Sequence, residues 1–98
     1  MTVVLQARQV RYYSAHDEAL FFEWLDRTAC ISKYEGIGDT VHIHVDETQV
    51  GESELRELLA IFFRYRVDMT QLRVFDSAAS AAWFRNEAAY WHSSVFGS

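Results

Sequence analysis

In the stretch VHIHVDE, residues 41 to 47, Val41, Ile43 and Val45 alternate with His42, His44 and Asp46. Strand side chains repeat with period two, so this pattern predicts a β-strand with one apolar and one polar face. Such a strand belongs in a sheet that is covered on one side and wet on the other. The rest of the chain has to supply both the neighbouring strands and the cover.

The flanking segments read accordingly. TVVLQARQVRYY, residues 2 to 13, is rich in β-branched and aromatic residues and predicts a long first strand. Its phase changes midway, Val3, Leu5 and Ala7 against Val10 and Tyr12, and a bulge would reconcile the two halves. Ser14 followed by Asp17 resembles a capping box opening a helix over about 15 to 28, with Leu20, Phe21, Trp24, Leu25 and Thr28 on one face. CISKYE is a weak strand, and GIGD turns the chain into VHIHV. Gly51-Glu52-Ser53 opens a second helix, with Glu52, Glu54 and Glu57 near its positive end. Leu55, Leu58, Leu59 and Phe62 form its stripe, widened by Ile61 and Tyr65, and Arg64 and Arg66 suit its C-terminal dipole. LRVF, residues 72 to 75, reads as a short strand, and Asp76 or Ser77 caps an Ala-rich third helix, SAASAAWFRNEA. The tail AYWHSSVFG shows no helical period. With no proline in the chain, turns rest on Gly, Asp, Ser and Asn.

The order strand, helix, strand, strand, helix, strand, helix matches a ferredoxin-like βαββαβ plan with an extra C-terminal helix. The fold class is therefore α/β (α+β), a single-domain sandwich over residues 1–98. In that plan helices cover one face of a four-stranded antiparallel sheet, with the first and third strands central and His42 and His44 on the open face. A mixed α/β sandwich of another topology is the rival. Trp24, Val45, Leu55, Leu59 and Phe62 are expected in the core.

Half of the 98 residues are hydrophobic and 15% are aromatic, which places the chain among globular proteins. Three Trp, seven Phe and five Tyr are many for this length, so some could face a partner. Trp91 and Phe96 are expected to pack the tail down. The one cysteine, Cys30, excludes an intramolecular disulfide, and with no signal peptide a cytoplasmic location is expected. No apolar run approaches the ~20 residues that span a bilayer. The net charge of −5 is segregated: residues 35 to 57 hold seven acids against Arg56, the remainder seven acids against eight bases. An acidic patch steers a basic partner and repels nucleic acid, so no nucleic-acid partner is expected.

Among candidate chemistries, His42 and His44 at i,i+2 could both reach a Zn²⁺-like ion, with Asp46 as a third ligand. The simpler reading is the polar side of a half-buried strand, with no metal and no cofactor. GIG, residues 36 to 38, precedes a strand and lacks the third glycine of a dinucleotide loop, so it reads as a hairpin turn. Cys30 has no Cys-His signature around it and reads as a buried small hydrophobe. The segregated carboxylates can imitate phosphates toward a basic cleft.

LLAIFFRYRVDMTQL, then AAWFRNEAAYWHSSVFG at the C-terminus, in a compact acidic domain, resembles the immunity proteins of bacterial toxin systems. The contact-dependent growth inhibition type is the nearest. The resemblance implies a cytoplasmic, non-enzymatic inhibitor that binds a cognate toxin domain, often a nuclease, and blocks its active site or substrate groove. The charge pattern makes Glu35, Asp39, Asp46, Glu47, Glu52 and Glu54 the contact candidates, with His42 and His44 beside them. Two alternatives stand next to this reading. One is a small enzyme or metal-binding domain using His42, His44 and Asp46; the other is a homodimer that buries the open sheet face and binds a small ligand.

Overall fold

The computed structural model describes residues 1–97. It is a small α+β structure: β1 (Thr2–Arg8), α1 (Ala15–Arg27), β2 (Ile31–Ile37), β3 (Thr40–Asp46), a 3₁₀ turn (Glu47–Gln49), α2 (Glu52–Arg64), a 3₁₀ segment (Met69–Phe75), α3 (Ala81–Phe84) and α4 (His92–Phe96). The sheet has three strands in the order β1-β3-β2, both pairings antiparallel. The alternating VHIHV segment is its central strand. Leu5 faces Ile43, which faces Tyr34 on β2, while Val3 and Ile31 flank Val45. Those residues lie on the side where Phe21 and Leu25 of α1 and Leu55, Leu58, Leu59, Ile61 and Phe62 of α2 complete one core. Of the residues expected inside, Val45, Leu55, Leu59 and Phe62 are buried and Trp24 is half-buried. Leu20, at the end of the α1 stripe, is 53% exposed.

Local chemistry sets the element ends. Ser14 caps α1 by accepting the Asp17 N–H, and the Asp17 carboxylate accepts the Tyr13 N–H, one residue further out than in a standard capping box. Gly38 and Asp39 make a two-residue hairpin turn between Ile37 and Thr40, and Gly38 supplies the positive φ (63°) such turns need. The phase change in the first strand is solved differently from the expected bulge. β1 stays in register to Arg8, then Gln9 takes φ 50° and turns Val10 and Tyr12 back onto the core.

The expected fourth strand does not form among the described residues, so β1 is an edge strand and not a central one. Residues 69 to 75 instead wind as a 3₁₀ helix, bringing Met69, Leu72 and Phe75 to the same side at its three-residue period. The segment still serves the sheet edge. The Gln71 side chain accepts the Gln6 N–H through Oε1 (2.7 Å) and donates through Nε2 to the Gln6 carbonyl (2.9 Å). One side-chain amide thereby imitates a neighbouring strand's peptide and closes part of the β1 edge.

The Ala-rich third helix is only one turn, Ala81–Phe84, and the tail forms a helix of its own, α4. The tail packs down as expected: Trp91 and Val95 are buried, the Trp91 indole N–H donates to the Phe84 carbonyl (2.8 Å), and Phe84 meets the Phe96 ring at 5.0 Å. Arg56 of α2 stacks over Trp83 at 4.4 Å and fastens this region to the helical layer. No helix among the described residues is long and apolar enough to cross a membrane.

The α2 C-terminus carries backbone strain. The Val67 N–H donates to the Phe62 carbonyl and the Arg66 N–H to the Phe63 carbonyl, the paired bonds of a Schellman ending. Arg66 stands at its left-handed position with φ 56°, where glycine is the usual residue. An arginine there costs on the order of 1 kcal/mol.

Candidate functional site

The open face of the sheet carries Gln6, His42 and Glu35 in one row and Val4, His44 and Lys33 in the next. His44 is largely shielded by its neighbours, and its Nε2 is buried without a hydrogen bond; the Glu35 carboxylate is 3.5 Å away. Asp46 does not join the imidazoles. Its carboxylate accepts the Thr48 N–H (3.0 Å) and hydroxyl (2.6 Å), which holds its pKa below the ordinary value and caps the 3₁₀ turn. Among the described residues no three His, Cys, Asp or Glu side chains converge as a metal site would require. Cys30 is in the core on the other side of the sheet, where burial, reinforced by Glu54, pushes its thiol up to about 11. It is a protonated, inert group.

The eight acidic and histidine candidates do not share one surface. Glu35, His42 and His44 occupy the open face. Asp39 sits at the hairpin tip, with its carboxyl held low by Thr40 and Gln9, and shares a shallow depression with His42 and Arg8. Asp46 and Glu47 mark the opposite end of β3. Glu52 pairs with Arg56 at 2.9 Å on the first turn of α2. Glu54 belongs to the helical layer, where Oε2 accepts the Cys30 N–H at 3.4 Å.

That layer contains a site which the charge count along the chain does not single out. α1 and α2 are separated by a groove of about 610 Å³ lined by Leu20, Glu23, Trp24, Glu54, Glu57 and Tyr65 and also by Arg27 and Arg64. The Trp24 indole N–H donates to Glu57 Oε1 at 2.8 Å, which fixes both groups against the groove wall. Glu23 is paired with Arg27 at 2.9 Å. The lining combines aromatic and aliphatic groups with three carboxylates and two arginines, of which Arg27 is paired with Glu23. Glu54 and Glu57 stand at i,i+3 beside the apolar stripe, a spacing that shares a helix face. Glu23 comes from α1, and only the packing of the two helices brings it near.

No protein-family model matches the chain, and no curated protein or solved structure matches it.

Proposed function

We propose that this protein is a non-enzymatic inhibitor of the immunity type, which neutralises a cognate toxin domain, such as a nuclease, by covering a basic active-site or substrate surface. The observation that carries this reading is the α1–α2 groove. Trp24 and the exposed Leu20 offer apolar contact, and Glu54 and Glu57 offer charge. A lysine or arginine entering it would meet both carboxylates and the Trp24 ring, the combination found at interface hot spots. Asp39, Asp46, Glu47 and Glu52, spread around the rest of the surface, would steer the encounter from a distance. Such an inhibitor would act in the cytoplasm.

The test is binding to whatever toxin domain a neighbouring gene encodes, followed by kinetics at two salt concentrations. Reversing Asp46, Glu47 and Glu52 to Lys is expected to slow association, and added salt to slow it further, because exposed charges are screened beyond ~8 Å at physiological ionic strength. Glu54→Lys with Glu57→Lys is expected to speed dissociation instead. Unchanged affinity in both variants would move the interface elsewhere. Failure to bind the neighbouring toxin domain would remove the inhibitor reading.

One observation supports the homodimeric alternative. The uncovered sheet face presents Val4, 45% exposed beside His44, and Ile37, 59% exposed at the hairpin end, and the buried His44 Nε2 makes no hydrogen bond. Sedimentation of the wild type and of Val4→Glu distinguishes the readings: a dimer dispersed by the variant supports the sheet-face interface.

A further inference from the structure

The β1–α1 connection and the C-terminus of α2 meet in a concavity of about 280 Å³ lined by Gln9, Arg11, Tyr13, Arg64, Tyr65 and Arg66. Three arginines thus line one pocket of a chain whose net charge is −5. Among the described residues none of the three has a carboxylate within 4.0 Å, whereas Arg27, Arg56 and Arg85 each have one. No carboxylate lines the pocket. Asp17 and Asp39, which bond to the lining residues Tyr13 and Gln9, are engaged there: Asp17 accepts the Tyr13 N–H, and Asp39 is bonded to Thr40 and Gln9. The dipole of α2 accounts for Arg64 and Arg66 but not for Arg11, which arrives from a different segment.

The backbone provides a second, independent observation. Gln9 and Arg66 are the non-glycine residues with positive φ among the described residues, and both line this pocket. The Schellman ending would be relieved by glycine at position 66, yet it carries a guanidinium. Strain held at two positions of one cavity marks a site whose side chains matter more than the ease of the local fold.

We propose that this pocket binds a phosphate group, either inorganic phosphate or the phosphate of a small monoester. Guanidinium forks match phosphate oxygens in pairs, and three of them suit a dianion better than a single carboxylate. The volume lies just below the ~300–1,000 Å³ of pockets that enclose whole drug-sized ligands, so an anionic head group is the fitting occupant. The site shares Arg64 and Tyr65 with the α1–α2 groove, but the proposal does not rest on the inhibitor reading.

The experiment titrates the full chain, in chloride buffer at matched ionic strength, with inorganic phosphate and with phenyl phosphate. Calorimetry and backbone amide shifts are the readouts. Saturable one-to-one binding is expected, with shifts concentrated over residues 9 to 13 and 64 to 67. Arg11→Gln and Arg64→Gln should each weaken it about tenfold or more, the loss of one charge-assisted contact. Arg66→Gly is the sharper variant, because glycine adopts the left-handed backbone freely. It should fold with an unchanged or raised Tm and still bind phosphate at least about tenfold more weakly. Tighter binding of phenyl phosphate assigns a monoester and equal binding the free ion; either supports the site. A linear response, one reproduced by chloride, or full affinity in Arg66→Gly overturns it.

Discussion

Ile43 and Val45 on one side of β3 are fully buried, whereas His42 and His44 on the other side keep part of their surface. The two faces share a backbone, a register and the same neighbouring strands, so their difference isolates what the helical cover does. On the covered face every side chain contributes by area removed from water. On the open face the same geometry leaves polar groups half-shielded, and one of them, His44 Nε2, has no hydrogen bond. Stability should therefore be concentrated on one face, leaving the other free to change.

The largest effects are expected under the cover. Phe62→Ala should cost roughly 3–5 kcal/mol and Ile43→Ala roughly 2–5 kcal/mol, read from denaturant midpoints. A loss below about 1 kcal/mol at either position would break the comparison, since exposed sites usually shift stability by only ~0.5 kcal/mol.

Cys30 gives the covered side a pH signature. Burial raises its thiol to about 11, so between its ordinary range near 9.0 and that value the unfolded chain ionises while the folded one keeps its proton. The folded state then binds more protons, and stability falls as pH rises through this window, by on the order of 2 kcal/mol, with none of this loss below it. Tyr12, raised mainly by burial to about 12, extends the decline to higher pH. Cys30→Ala should flatten the part between pH 9 and 11 in alkaline unfolding curves. A wild-type curve no steeper than the variant's would show that the thiol is not shielded as its burial requires.

What the sequence revealed was decided by whether a pattern is local in the chain, on either face of the sheet. β3 and α2 were legible because their periods are local: Val41, Ile43 and Val45 at two, Leu55, Leu58, Leu59 and Phe62 at helical spacing. The 69–75 segment was not, because LRVF has strand composition, and the three-residue spacing of Met69, Leu72 and Phe75 matters only once the core is there to receive it. Seven residues is also long for a 3₁₀ run. The α1–α2 groove combines Glu23 and Trp24 with Glu54 and Glu57 from another helix, and Arg11 and Arg64 line one pocket from positions still further apart in sequence. Charge counted along the chain cannot place such groups together. It grouped Glu52, Glu54 and Glu35, which the fold separates.

Gln71 tests the edge where both faces end. Gln71→Ala removes both bonds to Gln6, so the loss should be about 1 kcal/mol or somewhat more, depending on how readily water replaces the amide. Hydrogen exchange of the Gln6 amide should accelerate while the Ile43 amide in the central strand stays protected. Equal acceleration of both would mean that the edge and the centre open together and that the amide is not a local seal.

The smallest effect is expected on the open face. His42→Ala together with His44→Ala removes two imidazoles that no core residue depends on, and one of them brings an unbonded buried nitrogen. Losing an unsatisfied polar atom offsets part of the lost contact area, so the net change should stay within about 0.5 kcal/mol and could favour the variant. The same protein settles the metal alternative. Asp46 is turned toward Thr48, and no three His, Cys, Asp or Glu side chains converge among the described residues, so a Zn²⁺ ion beside His42, His44 and Glu35 would need these side chains to move or ligands from water or a second molecule. Calorimetry with Zn²⁺ at micromolar protein should detect no binding in either wild type or variant. Stoichiometric zinc in the wild type, lost in the double variant together with several degrees of Tm, would make the open face an energetic partner of the covered one. A ligand-held site binds the folded state alone and stabilises it by mass action, so the two readouts must move together if the metal is real.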